Sequence, residues 1–123
     1  MSSVEHAANH FAAYPLLLFA FQRGDHTGAS TFPAVWSAQL AARAEGVGST
    51  LTAVLSFKGS TVPDLLGMPS NEGWEMAACV TMGYPTGRWG IAPRNPAQEV
   101  VYRNRWGKDA GFTVEEPLWS PGG

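Results

Sequence analysis

Arg88 and Arg94 lie in a stretch punctuated by Gly87, Gly90, Pro93 and Pro96. A guanidinium projecting from rigid turns can hold a phosphate through two parallel N–H bonds from a permanently charged fork. Surface arginines are usually solvated, so residue type alone leaves both readings open. His6 and His10 are four apart and share a helix face, as metal ligands on helices do, but no glutamate stands beside the first and no third ligand has an obvious spacing. Solvated helix residues are the better reading, and no metal is expected. Gly46-Val47-Gly48-Ser49 resembles part of a dinucleotide fingerprint, yet the third glycine is missing and the order is helix, glycines, strand. Pyrophosphate binding uses the N-terminus of a helix that follows the glycines, so a helix stop with a tight turn explains this stretch better. Cys79, the only cysteine, sits among apolar neighbours and reads as a small core residue rather than a nucleophile.

The elements that must position these groups follow from the pattern of apolar residues. Residues 5–13 suit a short helix, stopped by Pro15. Residues 16–21 are continuously apolar and predict a strand buried on both faces. Ser30 is a candidate N-cap, Pro33 falls in the first turn, and residues 31–45 hold no further helix breaker before Gly46. Val35, Trp36, Ala38, Leu40, Ala41 and Ala42 make that helix apolar or small on nearly all sides, which predicts burial on nearly all sides, within a domain or between subunits. A second strand is expected over residues 50–57, a short helix over 60–66 capped by Ser60 or Thr61, and a third strand over 76–82. Residues 85–96 read as a loop, and residues 97–106 as a short ordered element.

Composition bounds the function. The chain has 123 residues, 45% of them hydrophobic and 11% aromatic, which fits one globular domain with a modest core. The net charge is -2, and the eight basic residues are scattered from Arg23 to Lys108, so no nucleic-acid partner is expected. The longest apolar stretch, residues 14–21, is too short to span a membrane and lacks a signal-peptide pattern. With one cysteine excluding an internal disulfide, the expectation is a soluble protein of the reducing cytoplasm.

Four stretches in order resemble the nitroreductase family: Gly28-Ala29-Ser30-Thr31-Phe32-Pro33-Ala34-Val35-Trp36, residues 40–52, Asp64-Leu65-Leu66-Gly67-Met68-Pro69, and Gly83-Tyr84-Pro85 followed by Pro93-Arg94-Asn95-Pro96. The resemblance runs from about residue 14 to about residue 106. It implies an α+β fold, a layered sheet with flanking helices, assembled as a homodimer with FMN at the subunit interface. It also implies NAD(P)H-driven two-electron reduction of a nitro or quinone-like acceptor. The cofactor-binding positions it implies are Leu51, Thr52 and Ala53, against the isoalloxazine, and Arg94, at the FMN phosphate. No catalytic side chain is expected, because hydride passes between nicotinamide and flavin while the protein orients them.

Family members begin with an arginine-bearing helix that grips the FMN phosphate, and residues 1–13 contain no arginine. The resemblance therefore implies a partial nitroreductase-like domain over residues 1–106, the C-terminal portion of that fold, with an extended tail over 107–123. Such a chain is expected to hold FMN weakly by itself. Where many relatives have asparagine after the tryptophan, this chain has Ser37. The alternative to a flavoenzyme is a non-catalytic, truncated nitroreductase-like module for dimerisation or regulation.

Overall fold

The computed structural model describes residues 3–87 and 94–114. The chain divides into two units, Met1–Thr86 and Gly87–Gly123. The first is a small α+β domain. Helix α1 (Ser3–His10) runs into a short 3-10 turn at Phe11–Ala13, and strand β1 covers Leu16–Gln22. Helix α2 (Thr31–Ala44) leads to strand β2 (Gly48–Thr52) and a 3-10 helix at Val54–Lys58. Helix α3 (Thr61–Leu65) and strand β3 (Glu75–Gly83) complete it.

The sheet is three-stranded in the order β1-β3-β2, with both outer strands antiparallel to β3. β1 and β2 are therefore parallel to each other but not adjacent, and the β1-α2-β2 crossover spans a gap that β3 fills, a split βαβ arrangement. Leu18, Val80 and Leu51 lie opposite one another on one face, and Phe19, Cys79 and Thr52 on the other. One residue of β3, Ala77, is bulged out of register opposite the Ala20–Phe21 step.

Two strand expectations change. β1 is an edge strand that leaves Leu16 and Leu18 exposed rather than buried on both faces. A continuous apolar run reports what the side chains prefer, whereas burial also requires a covering element, and the described residues do not supply one there. The strand expected over residues 50–57 ends at Thr52; the rest winds into the 3-10 helix, with the Val54 amide donating to Thr52 Oγ1 at 3.2 Å. A hydroxyl that captures a backbone amide two residues on offers the chain a turn in place of a ladder bond.

Helix α2 packs against β1 and β2 through Val35, which is buried, and Ala38 and Ala42, which are half-buried. Its start is set by Asp25 rather than Ser30, whose side chain makes no capping bond. The Asp25 carboxylate accepts the amides of Ala29 at 2.9 Å and of Ser30 and Thr31 at 3.0 Å, and the Thr31 hydroxyl at 3.1 Å. Its end is a Schellman turn: the Gly46 amide donates to Arg43 O at 3.1 Å and the Val47 amide to Ala42 O at 2.9 Å, with Gly46 at φ 77. Gly28 is buried at φ 70, and a Cβ there would run into the Phe32 ring. The helix is not buried all round, because Phe32, Trp36 and Leu40 form an exposed stripe at four-residue spacing.

In the second unit, the expected ordered element over residues 97–106 is a single 3-10 turn, Ala97–Glu99, followed by turns. The Val114 amide donates to Gln98 Oε1 at 3.2 Å. Of the expected tail over 107–123, residues 115–123 lie outside the described residues.

The amide of Thr31, foremost, holds the Asp25 carboxyl below its usual range, against some desolvation; the Ser30 amide, the Thr31 hydroxyl and the Ala29 amide add to it. A lowered folded-state pKa contributes stability above the unfolded value, near pH ~4, that is lost as the pH falls. Asp25→Ala should therefore lower Tm near neutral pH, and thermal melts should show the gap to wild type closing toward pH ~3. In the core, Val80 is 0% exposed at the centre of the sheet, so Val80→Ala should cost about 2 kcal/mol in a denaturant titration.

Candidate functional site

Leu51, Thr52 and Ala53 form the end of β2 and its exit. Because β2 pairs, among the described residues, only with β3, its other edge keeps a row of backbone N–H and C=O groups outside the ladder. Leu51 is exposed, Thr52 is half-buried opposite Cys79, and Ala53 is exposed at the start of the 3-10 helix. The Ala53 carbonyl accepts the Ser56 amide at 2.9 Å and the Ser56 hydroxyl at 2.6 Å, which fixes the turn. Behind the strand, Gln39 Nε2 of α2 donates to Ser49 Oγ at 3.2 Å, and Thr81 Oγ1 of β3 donates to Thr50 O at 3.3 Å. These bonds tie β2 to α2 and β3, and among the described residues no strand pairs with its other edge. An open strand edge flanked by an exposed leucine can take a flat, hydrogen-bonding ring alongside it.

Arg94 belongs to the second unit, where it is exposed just ahead of the Ala97–Glu99 turn. Arg88 lies outside the described residues. The structure thus brings Leu51, Thr52 and Ala53 together by chain continuity, and Arg94 stands in a unit of its own.

The other candidates resolve into structural roles. The His6 and His10 rings stack at 4.3 Å, and His10 Nδ1 donates to the His6 carbonyl at 2.9 Å, an arrangement that uses a ring nitrogen on the helix backbone. Among the described residues no three metal-ligating side chains gather. Gly46 stops α2, and Gly48 opens β2 opposite Gly83, so the glycine pair serves backbone geometry. Cys79 is 1% exposed, and burial pushes its thiol pKa up, which disfavours the nucleophilic thiolate. Near the start of β3, Arg23 pairs with Glu72 at 3.6 Å and lies 4.9 Å from the Trp74 ring centre, while His26 faces Glu75 at 3.8 Å. These pairs are exposed and contribute little to stability.

One concentration of chemistry escaped the sequence reading. Arg103, Arg105 and Lys108 are three of the eight basic residues, crowded into one turn. Their density over six positions was the available signal, masked by counting charge over the whole chain.

Compared with protein-family models, with curated proteins and with solved structures, the chain matches none. Among the described residues no helix is long and apolar enough to cross a membrane.

A buried thiol with a raised pKa should resist modification. A disulfide reagent such as DTNB should react with Cys79 slowly in the native protein and release one equivalent promptly in denaturant; rapid native reaction would place the sulfur at the surface.

Proposed function

We propose that the chain is a portion of an FMN-dependent oxidoreductase of the nitroreductase type, reducing nitro or quinone-like acceptors with NAD(P)H in the cytoplasm. The observation that carries this reading is that one of the resembling stretches, residues 40–52, runs from α2 through the glycine turn into β2, an outer strand of the sheet. The glycine turn delivers a strand whose outer edge is unpaired among the described residues, and that strand ends at Leu51 and Thr52, with Ala53 opening a fixed turn. These residues fit a flavin: backbone donors and acceptors on the open edge suit the polar rim of a flat heterocycle, and Leu51 offers it apolar contact. Arg94 supplies a permanent charge suited to the phosphate. When bound, FMN supplies the hydride chemistry. On this reading the end of β2 holds the ring by backbone hydrogen bonds, the phosphate contact at Arg94 is what the family resemblance implies, and no side-chain acid or base is required.

A second reading, a non-catalytic nitroreductase-like dimerisation or regulatory module, is favoured by the exposed stripe of α2. Trp36 is 60% exposed and stands between Phe32 and Leu40 on one face. Each such side chain left in water forgoes up to about 1.5 to 3 kcal/mol, so the stripe favours a homodimer under either reading. Ala38 and Ala42 are small enough for close helix approach, but they lie half-buried, with Ala38 lining the groove between α2 and β1. The dimer contact is therefore assigned to the large residues of the outer face.

Flavin titration separates the two readings. Saturable quenching of FMN fluorescence supports the flavoprotein, and its absence for both FMN and riboflavin leaves the module. If FMN binds, Arg94→Ala should weaken it by about tenfold to a hundredfold, the loss of a charge-assisted bond worth ~1.5 to 3 kcal/mol, while changing riboflavin affinity little. Equal losses for both ligands would make Arg94 structural. In sedimentation equilibrium the wild-type chain should be a dimer, and Trp36→Glu or Leu40→Glu should yield a folded monomer; monomeric wild type at all concentrations overturns the dimer.

A further inference from the structure

We propose that the turn over residues 102–109 binds a phosphorylated ligand that carries an aromatic ring, with a nucleoside diphosphate as the matching chemistry. The inference is independent of the flavin reading. Arg103, Arg105 and Lys108 are all exposed and line, with Asn104 and Asp109, a concavity of about 390 Å³. The turn is closed on itself: the Arg103 amide donates to Lys108 O at 3.3 Å, the Arg105 amide to Arg103 O at 2.8 Å, and the Lys108 amide to Arg105 O at 3.2 Å. Asn104 adopts the left-handed conformation, φ 64, the only non-glycine to do so among the described residues, and asparagine tolerates it better than most. Backbone bonding thus gathers three cations whose mutual repulsion opposes that arrangement.

Among the described residues no carboxylate forms an ion pair with them; Asp109, whose Oδ1 accepts the Gly111 amide at 2.6 Å, lines the same concavity and offsets only part of the charge. Two arginines and a lysine line this one concavity, and their guanidinium and ammonium groups suit a di- or polyphosphate. Trp106, next to Arg105 in sequence but outside the lining of the concavity, is 89% exposed, with its ring 4.7 Å from that of Tyr102. An exposed indole steadied by a second ring is a platform on which a base can stack. A mononucleotide fits better than a nucleic-acid strand, because the cations occupy a single turn and the net charge of -2 opposes a long polyanion.

Calorimetric titration of the full chain at low salt with ADP, pyrophosphate, adenosine and a single-stranded oligonucleotide tests this. ADP should bind more tightly than pyrophosphate, and adenosine should give no saturable heat. Replacing Arg103, Arg105 and Lys108 together by glutamine should weaken ADP about tenfold or more. Replacing Arg103 and Arg105 by lysine should keep the charge, lose the bidentate fork and so retain an affinity between wild type and the glutamine variant, which guards against a folding artefact. Trp106→Ala should bring ADP down to the level of pyrophosphate and leave pyrophosphate unchanged. The proposal is overturned if ADP gives no saturable heat, if the glutamine variant binds ADP as wild type does, or if Trp106→Ala changes neither ligand. It is equally overturned if the oligonucleotide binds more tightly than ADP and gains affinity with length, which would make the turn a nucleic-acid contact.

Discussion

Every ladder of backbone hydrogen bonds in the sheet runs through β3. β1 and β2 never touch as neighbours; each is held by pairing with the strand between them. The burial pattern follows, since Ala78, Cys79, Val80 and Thr81 of β3 are buried while both outer strands expose residues to solvent. The apolar character of β3 is therefore a requirement of position, and Cys79 is accounted for as a small side chain at the strand crossing rather than as a reactive group. The same constraint makes β2 an outer strand among the described residues, which is why its far edge, up to Thr52, has backbone groups to offer a ligand.

Helix α2 is positioned by its ends. A carboxylate from the preceding loop gathers its first amides, and a left-handed glycine turns the chain from its last carbonyls into β2. Between these points the helix leans on the sheet by its small and β-branched residues. Its large apolar residues face outward, an unusual cost for a lone subunit, and this couples the proposed assembly to the proposed cofactor site: the helix whose outer face seeks a partner leads directly into the strand assigned to the flavin.

The element order of the first unit was legible in the sequence because each element carries a local signal. Apolar runs marked β1 and β3, the Ser30-to-Gly46 frame marked α2, and Gly67 marked the end of α3. What stayed hidden depended on groups distant in sequence or on competition between bonds. Asp25 sits six residues before Thr31, too far for an N-cap reading, and Thr52 diverts the chain into a 3-10 helix despite a β-branched composition. Strand direction was invisible too, since alternating strands and helices fit a parallel sheet as well as this split antiparallel one. Of the candidate site, the strand end was read from motif order, whereas the basic turn was lost in a chain-wide charge count.

The split topology also bears on the order in which a nascent chain can assemble. β1, α2 and β2 are complete once Thr52 has been made, yet they have no sheet to join until residues 75–83 follow. During that interval the apolar β1 and the more polar β2 both lack the strand that pairs them, the condition that invites association between chains during synthesis. Because β3 is the last of the three strands in the chain and central in the sheet, both outer strands acquire their partner from one and the same late segment.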